Sequence, residues 1–580
     1  MTPLRLTWVQ PEDLLTHELR QAEEDGREAG RIAATWRNAG GPHTPTPTGA
    51  SPTPAPPALR ALAIRLLDEL ASLPCPLATQ EPTDFEAIRS ATPTWPEGVR
   101  GRTPAGGPGG AAPNPPPARG PGGAAPNPPP ARGPGPEAPS YPPTPPLRGP
   151  GRSPEGVQGR SPASGVQGAQ PPPGGPGAEP PKWGAGAAGP ARGPGGEAPR
   201  NTPLSTSTHP HPRRVQGRGG VGDINALHAA WLGRAAGCLL GKPVEKLPLT
   251  GIRAIARATG NWPLHTWFTA TGLPPDLATT YPWNRRSANT SLAENIDGMP
   301  EDDDLNYPLL GLLLLQRHGR HFTTTQVAQL WLDELPAGRT FTAERIAYRN
   351  LLDGIEPPHT ATHRNPFREW IGATIRADVH GWTNPGDPAA AAEQAHRDAV
   401  LTHTANGVYG AMFTAAAISL AATGAYDVHG CLAGGLTVIP PRSRLAEAVR
   451  LGIDLAHRQG DFDTVVDHLH TTLGGYHWVH SVPNAALLAA ALTHADGDFS
   501  GSICRAVSGG WDTDSNGATA GSLAGLLAGH PDALPARWTA PLKNRLATTV
   551  ADFDGTGFDT LAELTAQLTT PHIPQEVRSA

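Results

Sequence analysis

Apolar residues recur at helical spacing near both ends of this chain and almost vanish in between. Close to the start, Leu14, Leu15, Leu19, Ala22, Ala29, Ile32, Ala33 and Trp36 follow Pro11, which suits the first turn of a helix. Leu59, Leu62, Leu66, Leu67 and Leu70 repeat the pattern until Pro74 ends it, and a Thr/Pro-rich bridge over 40–57 joins the two runs. Two helices bury too little surface to stand alone, so residues 1–95 are predicted as a small helical region docked on the rest. From about residue 221 helical patterns resume: Ala226–Leu240, Tyr307–Gln316, Thr325–Leu335, Thr342–Leu352, Ala389–Thr402, Gly410–Ala422, Arg444–His457, Ala485–Leu492 and Ala518–Leu527. Turn residues punctuate them and alternating strands are missing, which predicts an all-α domain over 221–580.

The stretch between, 96–220, has a different character. Glycine and proline are concentrated there, well above their frequency in the rest of the chain, and the unit GPGGAAPNPPPAR occurs twice in tandem, over Gly107–Arg119 and Gly120–Arg132. With almost no apolar bulk, nothing offsets the entropy of ordering, so this segment is predicted as a disordered Pro/Gly-rich linker with polyproline character. A spacer enlarged by repeat slippage accounts for it; a docking strand for SH3-like or WW-like domains is the other reading.

Charge and cysteine usage narrow the class further. The net charge is −6, and no Lys/Arg block is long enough to read as a nucleic-acid footprint. The cysteines, Cys75, Cys238, Cys431 and Cys504, form no CxxC pair, which fits a reduced, cytoplasmic protein. No secretory signal is visible at the start, and the most apolar windows are shorter than the roughly 20 residues a membrane helix needs. The chain is therefore expected to be soluble, with no membrane partner.

Two acidic motifs carry the candidate chemistry. Glu301-Asp302-Asp303-Asp304 follows Pro300 and precedes an apolar run, so it opens a buried helix. One or two acids there would be ordinary capping; four exceed what the helix dipole needs. Far downstream, Trp511-Asp512-Thr513-Asp514-Ser515 opens a helix with small residues at Gly517, Gly521, Gly525 and Gly529, a stripe that permits close packing at the domain centre. Asp512, Asp514 and Ser515 are spaced so that a turn entering the helix aims three oxygens at one point. Clustered hard oxygens cost Coulomb energy unless a cation neutralises them, and Mg²⁺ or Mn²⁺ suits them. A third element, Gly237-Cys238-Leu239-Leu240-Gly241-Lys242-Pro243-Val244-Glu245, breaks a helix with glycines and then presents Glu245, although a surface Glu after a glycine-punctuated helix end is the plainer alternative.

These three elements, in this order, resemble the ADP-ribosylglycohydrolase family over roughly residues 221–560. The resemblance implies an all-α fold with a binuclear centre of two Mg²⁺ (or Mn²⁺) ions at the floor of a cleft. It implies Glu301, Asp302, Asp303, Asp512, Asp514 and Ser515 as metal ligands, with Glu245 or Asp303 handling the proton. Shorter similarities imply substrate contacts from Arg376, His403, Asn406, Gly407, Gly475 and Tyr476, and Trp511, beside the second acidic group, is expected at the substrate too, narrowing the pocket. The sequence departs from the family pattern at Cys238, where Asp is usual, at Glu301 and Asp304, where threonines flank the acids, and at Trp511, where a glycine is usual. The implied activity is hydrolysis of the N- or O-glycosidic bond between ADP-ribose and a modified protein or small-molecule acceptor. Another ribosyl or phosphoryl substrate, or a non-catalytic ADP-ribose-binding role, are the alternatives.

Overall fold

The computed structural model describes residues 5–45, 49–96 and 222–569. The stretch predicted as a disordered linker lies outside them. Among the described residues the backbone is helices and turns, and the β features are the isolated bridges Met299–Leu546 and Trp370–His480. The expectation of an all-α fold is met.

The N-terminal region contains α1 (Pro11–Glu24), α2 (Gly30–Asn38), α3 (Pro57–Ala71) and α4 (Phe85–Ser90). The first apolar run, read from the sequence as one helix, is two. The chain turns at Gly26, whose φ of +71° is a conformation glycine adopts without steric cost. The turn aims Asp25 at Arg27 and Arg368. This region and the C-terminal domain form one compact unit. Arg368 bonds Glu18 and Asp25, and Arg444 bonds Glu81 and Glu369, so half-buried guanidiniums tie the two parts together.

At the centre of the domain, α5 (Ile224–Gly241) packs against the Thr513–Ala528 helix. Their glycines make the contact. A β-carbon on Gly233, Gly237, Gly517 or Gly521 would collide with a carbonyl oxygen of the facing helix. Gly529 does not belong to that stripe; at φ +76° it is the left-handed cap that ends the helix. Trp231 of α5 donates to Thr565 at 3.0 Å, fastening the C-terminal Phe558–Thr569 helix to the same core. Backbones this close leave little room for side chains between the helices. One end of the seam therefore brings Gly241 and Thr513 together, with a 2.9 Å bond from the Thr513 hydroxyl to the Gly241 carbonyl.

Candidate functional site

Three chain segments meet at that end of the seam. The first is the close of α5, which passes through a single 3₁₀ turn, Lys242–Val244, and releases Glu245 in extended backbone. The second is the start of the Asp303–His318 helix, where Asp302 is the N-cap and accepts from the Asp304 N–H at 2.9 Å. Pro308 lies inside this helix and has no N–H, which leaves the Asp304 carbonyl without its helical donor. Arg234 of α5 fills the gap, bonding that carbonyl at 2.8 Å while its other nitrogen reaches Asp378 at 2.8 Å. The third is the start of the Thr513–Ala528 helix. Its N-cap, Asp512, makes no side-chain capping bond, and its carboxyl instead meets that of Asp514. Trp511 just before it has φ +55°, and its ring stacks on His470 at 4.0 Å between centroids.

The electrostatics of this floor are those of too many anions in too little water. Burial first, then neighbouring carboxylates, push Asp303, Asp304 and Asp512 well above the usual carboxylate range. Asp514 rises to about 7 through burial and the nearby Glu245. Asp302 alone goes down: burial opposes its charge, but the ion pair with Lys242 outweighs it. The Cys238 thiol is raised well above its usual value by burial, then by Asp302 and Asp304, so it stays protonated and lies 3.7 Å from Asp304 Oδ2. Asp304 Oδ1 is buried without a hydrogen-bond partner. Ligand atoms of Cys238, Asp302 and Asp304 lie within 4.8 Å of one another. The donor set is mainly carboxylate and hydroxyl oxygen, short of positive charge, and fits a hard divalent cation.

The structure brings Asp302, Asp303, Asp512, Asp514 and Ser515 to this floor, with the Ser515 hydroxyl 3.4 Å from Asp304 Oδ2. Glu245 stands beside them, its carboxylate held by Asn284 at 2.6 Å and Lys246 at 2.8 Å. Glu301, expected among the ligands, is instead paired with Arg339 at 2.9 Å. The residues expected at the substrate are occupied within the protein. Arg376 is buried among Asp398, Glu344 and Thr402, and His403 is bonded to Thr402 at 2.5 Å. Asn406 donates to Glu81 and Glu369 and accepts from the Leu445 N–H. Gly407 packs on the Arg368 carbonyl, and Gly475 accepts from Arg20. Tyr476 lies half-buried beside His480, and Trp511 is stacked away on His470. His403 Nε2 is buried without a hydrogen-bond partner.

Sequence reasoning missed four participants: Asp304, Lys242, Arg234 and Asn484. Asn484 accepts from the Asp512 N–H at 3.1 Å and from Asn516 at 2.7 Å, which fixes the second acidic turn. Lys242 was visible as one of four lysines in the whole chain, placed directly at the helix break. Arg234 and Asn484 gave no local signal, since their partners lie far along the sequence.

Two helix N-termini aiming carboxylates at one point, beneath a glycine-packed helix pair, define a helical protein with a cation-seeking floor. The family model described as ADP-ribosylglycohydrolase matches residues 223–573, and the chain belongs to that family. No curated protein matches the chain. A solved structure described as an ADP-ribosylglycohydrolase-related protein complex is 20% identical, covers 60% of this chain and 99% of its own, and has a TM-score of 0.37, too loose a likeness to carry an argument.

Proposed function

We propose that this chain is a metal-dependent hydrolase that cleaves the glycosidic bond joining ADP-ribose to a modified protein or small-molecule acceptor. The observation that carries this reading is the crowding of Asp302, Asp303, Asp304, Asp512 and Asp514 on one floor, where desolvation and mutual repulsion push four of the five carboxyls upward and an added cation would relieve them. Asp302, Asp303, Asp512, Asp514 and Ser515 would hold two Mg²⁺ or Mn²⁺ ions, which when bound orient ribose hydroxyls and acidify a water. Glycosidic cleavage builds oxocarbenium-like positive charge on the ribose, and carboxylates beside a bound ribose would stabilise it. Glu245 moves the proton, because it is the partly exposed carboxylate at the edge of the floor and Asn284 and Lys246 fix its orientation. Asp303 is the second candidate for that role. Among the described residues no helix is long and apolar enough to cross a membrane, and the four cysteines are free, which supports a cytoplasmic setting.

The test is release of ADP-ribose from a panel of ADP-ribosylated proteins and small-molecule conjugates, with Mg²⁺, with Mn²⁺ and after chelation. Metal-dependent release from one linkage is the expected result. Asp302→Asn and Asp514→Asn should each lower it by about a hundredfold or more, because a lost ligand misplaces the reacting groups. Release of phosphate instead of ADP-ribose would move the reading to a phosphoryl substrate. Metal binding without any turnover would leave a binding role.

A further inference from the structure

The N-terminal helices lie outside the stretch that the family model matches, yet they grip a loop that borders the acidic floor. That loop, residues 474–480, joins the Phe462–Leu473 helix to the Ser481–His494 helix. On its outer side α1 holds it at two points. Arg20 donates to the Gly475 carbonyl, and Glu24 lies 3.5 Å from His480 Nε2. His17 of α1 packs edge-on against Trp370, and Trp370 stacks on His477 at 4.2 Å with the rings nearly parallel.

On its inner side the same loop is tied to the site. His480 caps the Ser481–His494 helix by accepting from the Val482 N–H at 3.2 Å, so the imidazole that meets Glu24 also fixes where the helix begins. One turn on, Asn484 donates to the carbonyls of Trp478 and His480, each at 2.8 Å. The amide oxygen of that same Asn484 accepts from the Asp512 N–H. Trp478 faces Lys246, whose ammonium is 5.9 Å from the indole centre and pairs with Glu245. A path of contacts thus runs from α1 to the loop, where Arg20 bonds Gly475 and Glu24 approaches His480, and on through Asn484 to the Asp512 turn; a second runs through Trp478 and Lys246 to Glu245.

We propose that α1 is a positioning clamp. By holding residues 474–480 through Arg20 and Glu24, it sets the place of Trp478 against Lys246, the partner of Glu245, and of Asn484 against the Asp512 backbone, and so sets substrate affinity at the acidic floor. Arg20 and Glu24 are positioning residues here and contact no reacting atom.

The experiment compares the full chain with Arg20→Ala, Glu24→Gln and Arg20→Lys. Amide hydrogen exchange is followed in residues 474–484 and 511–516 and in the central α5 helix. With the clamp loosened, exchange in 474–484 should quicken about tenfold while α5 keeps its protection, since local opening is separable from global unfolding. Arg20→Lys, which keeps a donor for the Gly475 carbonyl, should restore most of it. With an active preparation, KM for the ADP-ribosylated substrate should rise about threefold or more at nearly constant kcat. Unchanged exchange in 474–484 in both Arg20→Ala and Glu24→Gln would overturn the clamp. Faster exchange with an unchanged KM would overturn its link to affinity. The KM arm rests on the activity proposed above; the exchange arm needs no substrate and decides the clamp even if that activity is absent.

Discussion

Lys242 is the residue whose chemistry most constrains the site. Its ammonium is paired with Asp302 in largely buried surroundings, which raises the lysine's own pKa although burial opposes its charge. The ion pair supplies internally part of the positive charge the floor lacks. Replacing it by Met therefore leaves Asp302 buried and unpaired, and breaking a buried pair from one side costs about 3–5 kcal/mol. Lys242→Met should lower the stability of the metal-free protein by about that much, measured by urea denaturation. Saturating Mg²⁺ or Mn²⁺ should return much of the loss, because an ion bound only to the folded state stabilises it, by about 2.7 kcal/mol at a hundred times Kd. An equal deficit with and without metal would mean that no ion meets Asp302. Such a pairing was hard to read in the sequence. The acids announced themselves by crowding, whereas Lys242 and Asp302 are 60 positions apart and only the fold reveals them as partners.

At the scale of elements, the site depends on how closely α5 meets the Thr513–Ala528 helix. Gly521 has the Gly233 carbonyl where a side chain would go, and Gly233 has the Gly521 carbonyl in the same way. Backbone cannot yield as a flexible side chain can, so Gly521→Val should cost about 3 kcal/mol or more, at or above the upper end of ordinary overpacking. Gly529→Ala should cost only about 1–2 kcal/mol, the price of a left-handed conformation at one residue. Comparing the urea midpoints of the two variants separates seam from cap. A Gly521→Val protein as stable as the parent would show that the seam can open.

The glycine stripe was legible because its spacing of four is local, and so was its consequence, a helix at the domain centre. Arg376, His403 and Asn406 were legible as residue types but not as roles. Their partners Glu344, Thr402, Asp398, Glu81 and Glu369 come from several segments, and only the fold shows those bonds. Several helices went unread as well, among them Leu249–Ala258, Phe462–Leu473, Phe499–Ser508 and Phe558–Thr569. Two carried a usable signal. Asp461 and Asp498 cap the helices that follow them, bonding Thr464 and Gly501 backbone N–H groups.

Across the whole molecule, the seam between the N-terminal region and the domain is a titratable interface, and its stability should pass through a maximum near neutral pH. Burial holds His17 down to about 3, and burial likewise holds His477 and His480 well below the usual histidine range. Both ring nitrogens of His17 lack partners, so nothing inside the seam favours its charged form. Burial raises Glu24 to about 7, against the opposing pull of Arg20 and Arg444, and raises Glu369 to about 8, where Asp25, held low by Arg368, shares its proton.

The signs of the two groups oppose each other. Each histidine, depressed in the folded state, contributes stability that is present above its unfolded value of 6.5 and lost as pH falls. Each raised glutamate contributes stability that is present below its unfolded value of 4.5 and lost as pH climbs through about 7 for Glu24 and about 8 for Glu369. Between 4.5 and 6.5 three histidines gain with rising pH against two glutamates losing, so the seam strengthens. Above 6.5 the histidine gain fades out within about a unit while the glutamates keep losing, so the balance turns over near that value. Amide exchange of α1 should therefore be slowest near about pH 6.5, after correction for the intrinsic exchange rate, and faster at about pH 5 and about pH 8. His17→Phe removes one acid-side group without opening the aromatic packing around Trp370, and should flatten the low-pH limb while leaving the high-pH limb in place. A corrected profile that is flat from pH 5 to 8 would mean these groups keep their ordinary values and that the seam is held by packing alone.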